Sequence, residues 1–210
     1  MRFLFLSFTF FIIHLFSTQN LIAQHKKFDA GIFFNINANT ISRKDRSLMR
    51  SPAGKGFAGG MSVGASIKRM FSPHFQGGFE LRYIKKGSLY NTAQGEGLLK
   101  LNYIEIPVLI GYSFFPDKVN IILESGFAVA KMFQSDKSIN LLVGSAGTKN
   151  INEDFNDFDI SWIGIFKWSM NPKAAKNVFL GFRFEHSILS IHELWNLYNI
   201  NWGVQFEYVL

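Results

Sequence analysis

Read for period two, the chain divides into alternating segments, and the last is the clearest. From Tyr198 to Leu210, residues Tyr198, Ile200, Trp202, Val204, Phe206, Tyr208 and Leu210 share one parity. Asn199, Asn201, Gly203, Gln205 and Glu207 share the other, and only Val209 breaks the pattern. Successive side chains of a β-strand point to opposite sides, so this segment predicts a strand with one aromatic face and one small or polar face.

Seven earlier segments carry the same signal. Phe28–Asn37 sets Phe28, Ala30, Ile32, Phe34 and Ile36 on one face. Phe57–Arg69 sets Phe57, Met61, Val63, Ala65 and Ile67 against Ala58, Gly60, Ser62, Gly64, Ser66 and Lys68. Phe75–Lys86 opposes Phe75, Phe79, Leu81 and Tyr83 to Gln76, Gly78, Glu80 and Arg82. In Leu99–Tyr112, Ile104, Ile106, Val108, Ile110 and Tyr112 oppose Tyr103, Glu105, Pro107 and Leu109, and Pro107 predicts a bulge or a local break in pairing. Val119–Phe133, Asp159–Ser169 and Asn177–Ile188 complete the set, with Glu124, Lys167, Arg183 and Glu185 on their polar faces.

The connections alternate in length. Met70–His74, Ser113–Lys118 and Met170–Lys176 are short, whereas Ala38–Gly56, Gly87–Leu98 and Gln134–Phe158 are long; Leu189–Leu197 is intermediate and apolar. Eight antiparallel strands with short turns at one end and long loops at the other describe an up-and-down barrel. Two settings suit such a barrel: a soluble one with an apolar interior, or a membrane-spanning one with lipid outside. Sterics separates them. Eight strands enclose room for packed side chains or one small ligand, and roughly forty bulky apolar side chains do not fit there. The glycines, alanines, serines and few charges of the opposite face do. The expected fold is therefore all-β, an eight-stranded antiparallel transmembrane barrel in an outer membrane, with both termini on the periplasmic side.

The N-terminus agrees with export. Arg2 precedes a run from Phe3 to Phe16 interrupted only by Ser7, Thr9 and His14, and Leu21-Ile22-Ala23-Gln24 offers a cleavage site after Ala23. An apolar core of about 14 residues is short for a spanning helix and suits a secretory signal. The expected division is residues 1–23 as signal and 24–210 as barrel. Removing Arg2 lowers the net charge from +7 to +6. On an exported chain that basic balance points to anionic outer-membrane lipids and lipopolysaccharide, not to nucleic acid. The absence of cysteine excludes lipoprotein acylation, disulfides and thiolate metal sites.

The central strands carry a family resemblance. Glu80-Leu81-Arg82-Tyr83-Ile84-Lys85-Lys86-Gly87 reads E-x-x-Y-x-x-K-G, and Tyr103-Ile104-Glu105-Ile106-Pro107 follows as Y-[LI]-E-[LIV]-P. This pair resembles the PorT-like outer-membrane β-barrel proteins of the Bacteroidota, and Asp157-Phe158-Asp159-Ile160 resembles a later strand start of that family. The resemblance implies an eight-stranded outer-membrane barrel without an assigned activity. Leu210 ends the chain where that family usually has an aromatic.

Ten charges fall on the polar faces: Lys68, Glu80, Arg82, Glu105, Glu124, Asp159, Lys167, Arg183, Glu185 and Glu207. In a narrow lumen they must pair, which predicts a salt-bridge plug in preference to an ion path. The first long loop collects Arg43, Lys44, Arg46, Arg50 and Lys55 against Asp45, a candidate contact for lipopolysaccharide phosphates. Gly54-Lys55-Gly56-Phe57-Ala58-Gly59 matches G-x-G-x-x-G but leads into a strand, so a dinucleotide role fails on context.

His186, Ser187, Ser190, His192 and Glu193 cluster at the outer end of the seventh strand and in its loop, and a lipid A esterase or acyltransferase is the alternative activity they raise. Adjacent His186 and Ser187 should face opposite ways, against nucleophilic pairing. Outward Tyr83, Tyr112, Trp162, Trp168, Tyr198, Trp202 and Tyr208 are expected as interfacial girdles. The expected role is structural or interactive, non-enzymatic and without cofactor or metal. The expected partners are membrane lipid, the barrel assembly machinery during insertion, and an envelope protein. A soluble periplasmic ligand-binding barrel is the remaining alternative.

Overall fold

The computed structural model describes residues 28–43, 56–92, 95–115, 121–141, 147–150, 155–170, 178–192 and 196–210. The expected signal peptide and the loop residues Lys44, Arg46, Arg50, Lys55 and Glu193 lie outside the described residues, as does the Arg43 side chain.

The strands are β1 (Phe28–Arg43), β2 (Ala58–Met70), β3 (Phe75–Thr92), β4 (Gly95–Ser113), β5 (Ile121–Leu141), β6 (Gly147–Asn150), β7 (Phe158–Ser169), β8 (Val178–Ser187) and β9 (Leu197–Val209). Each pairs antiparallel with its neighbour around the ring β1-β2-β3-β4-β5-β7-β8-β9, and β9 closes on β1. The barrel thus has eight strands, and β6 is a short addition against Asp136–Ile139 of β5. Closure satisfies the backbone without an open edge, which lipid requires.

The register sets the tilt. Starting from Ala30, the paired positions run Ile67, Phe79, Val108, Phe127, Trp162, His186 and Ile200, and return to β1 at Thr40, ten residues higher. A stagger of that size in eight strands corresponds to a tilt of about 40°. Ten residues at about 3.3 Å each then rise about 25 Å, the height of an outer-membrane apolar band.

The faces follow the alternation. Phe34, Ile36, Val63, Phe79, Leu81, Ile106, Val108, Phe127, Phe166, Phe182 and Phe206 are exposed on the outer wall. The polar parity, from Asn35 and Ser62 to Glu207, is buried inside. Between β3 and β4 the ladder passes from Phe79↔Val108 to Arg82↔Glu105 with unchanged offset. Pro107 lies in this gap, as expected of a residue without an N–H. A register shift lies elsewhere, at Asn102/Tyr103 against β5, where Phe133 and Gln134 are both exposed between buried Met132 and Ser135.

Three expected loops are corrected. Ala38–Gly56 begins as ladder, because β1 continues to Arg43 against β9. Gly87–Leu98 is mostly ladder, because β3 continues to Thr92 and β4 begins at Gly95. Gln134–Phe158 likewise holds the end of β5 and β6. Above the lipid the outward face no longer has to be apolar, so alternation fades while backbone pairing persists. By contrast the 71–74 turn is tight: the Ser72 hydroxyl accepts the N–H groups of His74 and Phe75 at 3.3 and 3.0 Å.

The outer end of the lumen is apolar. Ile41, Ile84, Leu99, Leu101, Tyr103, Met132, Phe155, Ile191 and Leu197 form one buried cluster there. Gly87 marks where β3 climbs past the lumen charges. Its φ is +156°, and a Cβ would meet the Leu99 carbonyl oxygen. Replacing it with valine (Gly87→Val) should lower stability by about 1–3 kcal/mol through backbone strain. Urea titration of the folded band on unheated gels should show an earlier midpoint for Gly87→Val and an unchanged one for exposed Leu89→Val.

Candidate functional site

Among the described residues, strand pleating buries five cations and six acids in the lumen, where Lys68, Arg82, Lys86, Lys167 and Arg183 meet Glu80, Glu105, Glu124, Asp159, Glu185 and Glu207. All are buried, and they group in three tiers.

The tier nearest the short turns is a four-membered ring. Lys68 reaches Glu207 at 2.8 Å and Glu124 at 3.1 Å. Lys167 reaches the same two carboxylates at 2.8 and 3.1 Å. Gln76 donates to Glu124 at 2.6 Å, Ser66 donates to Glu207 at 3.2 Å, and the Lys167 ammonium lies over the Phe179 ring.

The middle tier crosses the barrel. Arg183 on β8 pairs with Glu80 on β3 at 2.7 Å, four strands away and so diametrically opposite. Its guanidinium also contacts Gln205 and lies over the ring of Phe33, an aromatic side chain that β1 turns inward. Arg82 gives Glu105 two hydrogen bonds, at 3.1 and 2.7 Å, and also pairs with Glu185 across the lumen.

The third tier is centred on Lys86, which meets Asp159 at 3.1 Å, Glu105 at 3.4 Å and Glu185. Ser187 and Asn199 donate to Asp159 at 2.9 and 3.1 Å, Ser161 donates to Glu185 at 3.1 Å, and Tyr103 lies beneath the Lys86 ammonium. Above this tier stands the apolar cluster.

A family model described as outer membrane protein beta-barrel domain matches residues 19–193. The chain belongs to that family. Its location is the outer membrane. A comparison with curated proteins finds no match.

Among solved structures this outer-membrane barrel is similar to Ail, the attachment invasion locus protein of Yersinia pestis, in complex with the heparin analogue sucrose octasulfate. That match has 9% identity, covers 88% of this chain and 99% of that one, and has a TM-score of 0.47. Neisserial surface protein A matches at 13% identity over 85% and 95% of the two chains, with a TM-score of 0.47. OprG from Pseudomonas aeruginosa matches at 10% over 90% and 99%, with a TM-score of 0.46.

All ten sequence-selected lumen residues of this barrel are buried in the network. Lys86 was missed because Lys85-Lys86-Gly87 reads as a strand end; the parity running from Glu80 through Arg82 and Ile84 would have found it. In the sequence Gln76 and Asn199 fall on the polar faces without a role and Ser187 groups with the histidines; all three donate to network carboxylates.

His186 and Ser187 are held apart, on opposite sides of the wall. The His186 ring stacks outside on Tyr198, with centroids 6.3 Å apart, while Ser187 is buried and bound to Asp159. The Ser190 hydroxyl donates to the His192 carbonyl and accepts the N–H groups of His192 and Leu197, so it organises a turn. His192 packs edge-on against Phe155.

Breaking one buried ion pair strands its partner, which costs about 3–5 kcal/mol, whereas an apolar pair of similar volume is tolerated. Arg183→Leu should therefore lower the unfolding free energy by about that amount, and Arg183→Leu combined with Glu80→Leu should recover most of the loss. Urea unfolding in lipid vesicles measures both, and an additive double mutant would contradict direct pairing.

Proposed function

We propose that this outer-membrane barrel is a non-enzymatic structural and interaction protein, with a lumen plugged by its ion pairs and with its outer segments as the working surface. The observation that carries the reading is the pairing of Arg183 with Glu80 and of Arg82 with Glu185 across opposite walls. Those contacts, with the apolar cluster above them, occupy the width an aqueous path would need. Eight-stranded barrels enclose packed side chains, and water-filled channels come with wider barrels. The central strand pair supports a PorT-like assignment within the family.

The upper parts of β3, β4 and β5 supply the surface. These strands have 18, 19 and 21 residues, against the roughly 9–11 that a tilted strand needs to span. With β6 they raise a sheet beyond the lipid, suited to lipopolysaccharide or to an envelope protein. The separation of His186 from Ser187 speaks against a lipid A esterase.

The purified barrel in planar bilayers should give no stable conductance steps at any moderate voltage. Steps on the nanosiemens scale would sink the plug.

A further inference from the structure

The outer wall of β3, β4 and β5 carries three lysines where an apolar surface would otherwise continue: Lys85, Lys100 and Lys131 are all exposed. Their height follows from the register. Each step along the path from Ala30 rises about 3 Å and each residue along a strand about 2.5 Å. Lys85 stands six residues above Phe79 and Lys131 four above Phe127, which puts both about 21–22 Å above Ala30. That is the upper rim of the apolar band. Lys100 comes out several ångströms higher.

Two strand spacings and about three residues of register separate Lys85 from Lys131, roughly 14 Å between Cα atoms, a span that two extended lysine side chains can close around one phosphate. Asn102 of β4 lies between them, in register with Lys85, and its carbonyl accepts the Tyr83 hydroxyl at 3.0 Å. The Lys85 ammonium lies over the Tyr83 ring and that of Lys131 over the Phe158 ring. Tyr83 packs on Phe133, the residue exposed at the bulge. Among the described residues neither Lys85 nor Lys131 makes an ion pair, whereas Asp136 stands opposite Lys100 in register. Below the pair, exposed Leu81, Ile104, Ile106, Val108, Phe127 and Val129 form an unbroken apolar wall.

We propose that Lys85 and Lys131 form a wall site for a phosphate of lipid A, with its acyl chains lying against the apolar surface beneath. A headgroup phosphate anchored in the outer leaflet arrives at this height, is anionic, and brings its own apolar tail. The site rests on the outer-membrane placement and deepens the proposed surface role. It involves none of the residues of the arginine-rich first loop.

The full-length barrel, extracted in mild detergent, is mixed with bisphosphorylated lipid A, the fully dephosphorylated lipid or phosphatidylglycerol, and retained lipid is counted by native mass spectrometry. The variants are Lys85→Gln with Lys131→Gln, and Arg43→Gln with Lys44→Gln and Arg46→Gln. Wild type should retain bisphosphorylated lipid A, not the dephosphorylated form, and the wall variant should lose about fivefold or more. Unchanged retention in the wall variant, loss confined to the loop variant, or equal retention of phosphatidylglycerol overturns the site. Heat-modifiable gel migration of each variant reports folding separately. Its absence in wild type would remove the outer-membrane reading itself, and the site with it.

Discussion

A closed sheet of eight strands has an interior no wider than the side chains that fill it, and everything else in this protein follows from that limit. Most bulky apolar residues go outside, where lipid receives them. The inside is left to small residues, to polar ones that meet one another, and to the apolar clusters packed beside and above them. Removed from bulk water, those polar groups are stable only when hydrogen-bonded and paired. The ring of Lys68, Glu124, Lys167 and Glu207 and the contacts of Arg82, Lys86 and Arg183 are the result.

The ion pairs do not raise stability merely by existing, since desolvation offsets much of their Coulomb attraction. Their larger effect is on register. A one-residue slip of any strand would turn its lumen charges toward lipid and its aromatics inward. Glu80, Arg82 and Lys86 on β3 all find partners on strands two or more positions away, so one slipped strand would strand charges on several walls. The lumen thus specifies how the wall closes.

The eight barrel strands and their two faces were legible in the sequence because lipid and lumen impose opposite demands on neighbouring residues. The tops of β3, β4 and β5 were not, because above the membrane the outward face meets water and need no longer be apolar, so the alternation fades. Lys86 fell in that blind zone. The pairing partners were illegible for another reason. Which charges meet depends on the ten-residue stagger of the barrel, and no local pattern encodes that. Phe33 shows the same limit: alternation points it inward, but only closure brings Arg183 over its ring.

The chain has no cysteine, so single cysteines can be introduced along β9 and spin-labelled without further changes. Oxygen accessibility in lipid vesicles then reads directly which side each residue faces. Labels at Trp202, Val204 and Phe206 should be oxygen-accessible, and labels at Asn201 and Gln205 shielded, in strict period two. A flat profile, or one with the parity reversed, would contradict a barrel whose apolar face meets lipid and whose charges meet each other.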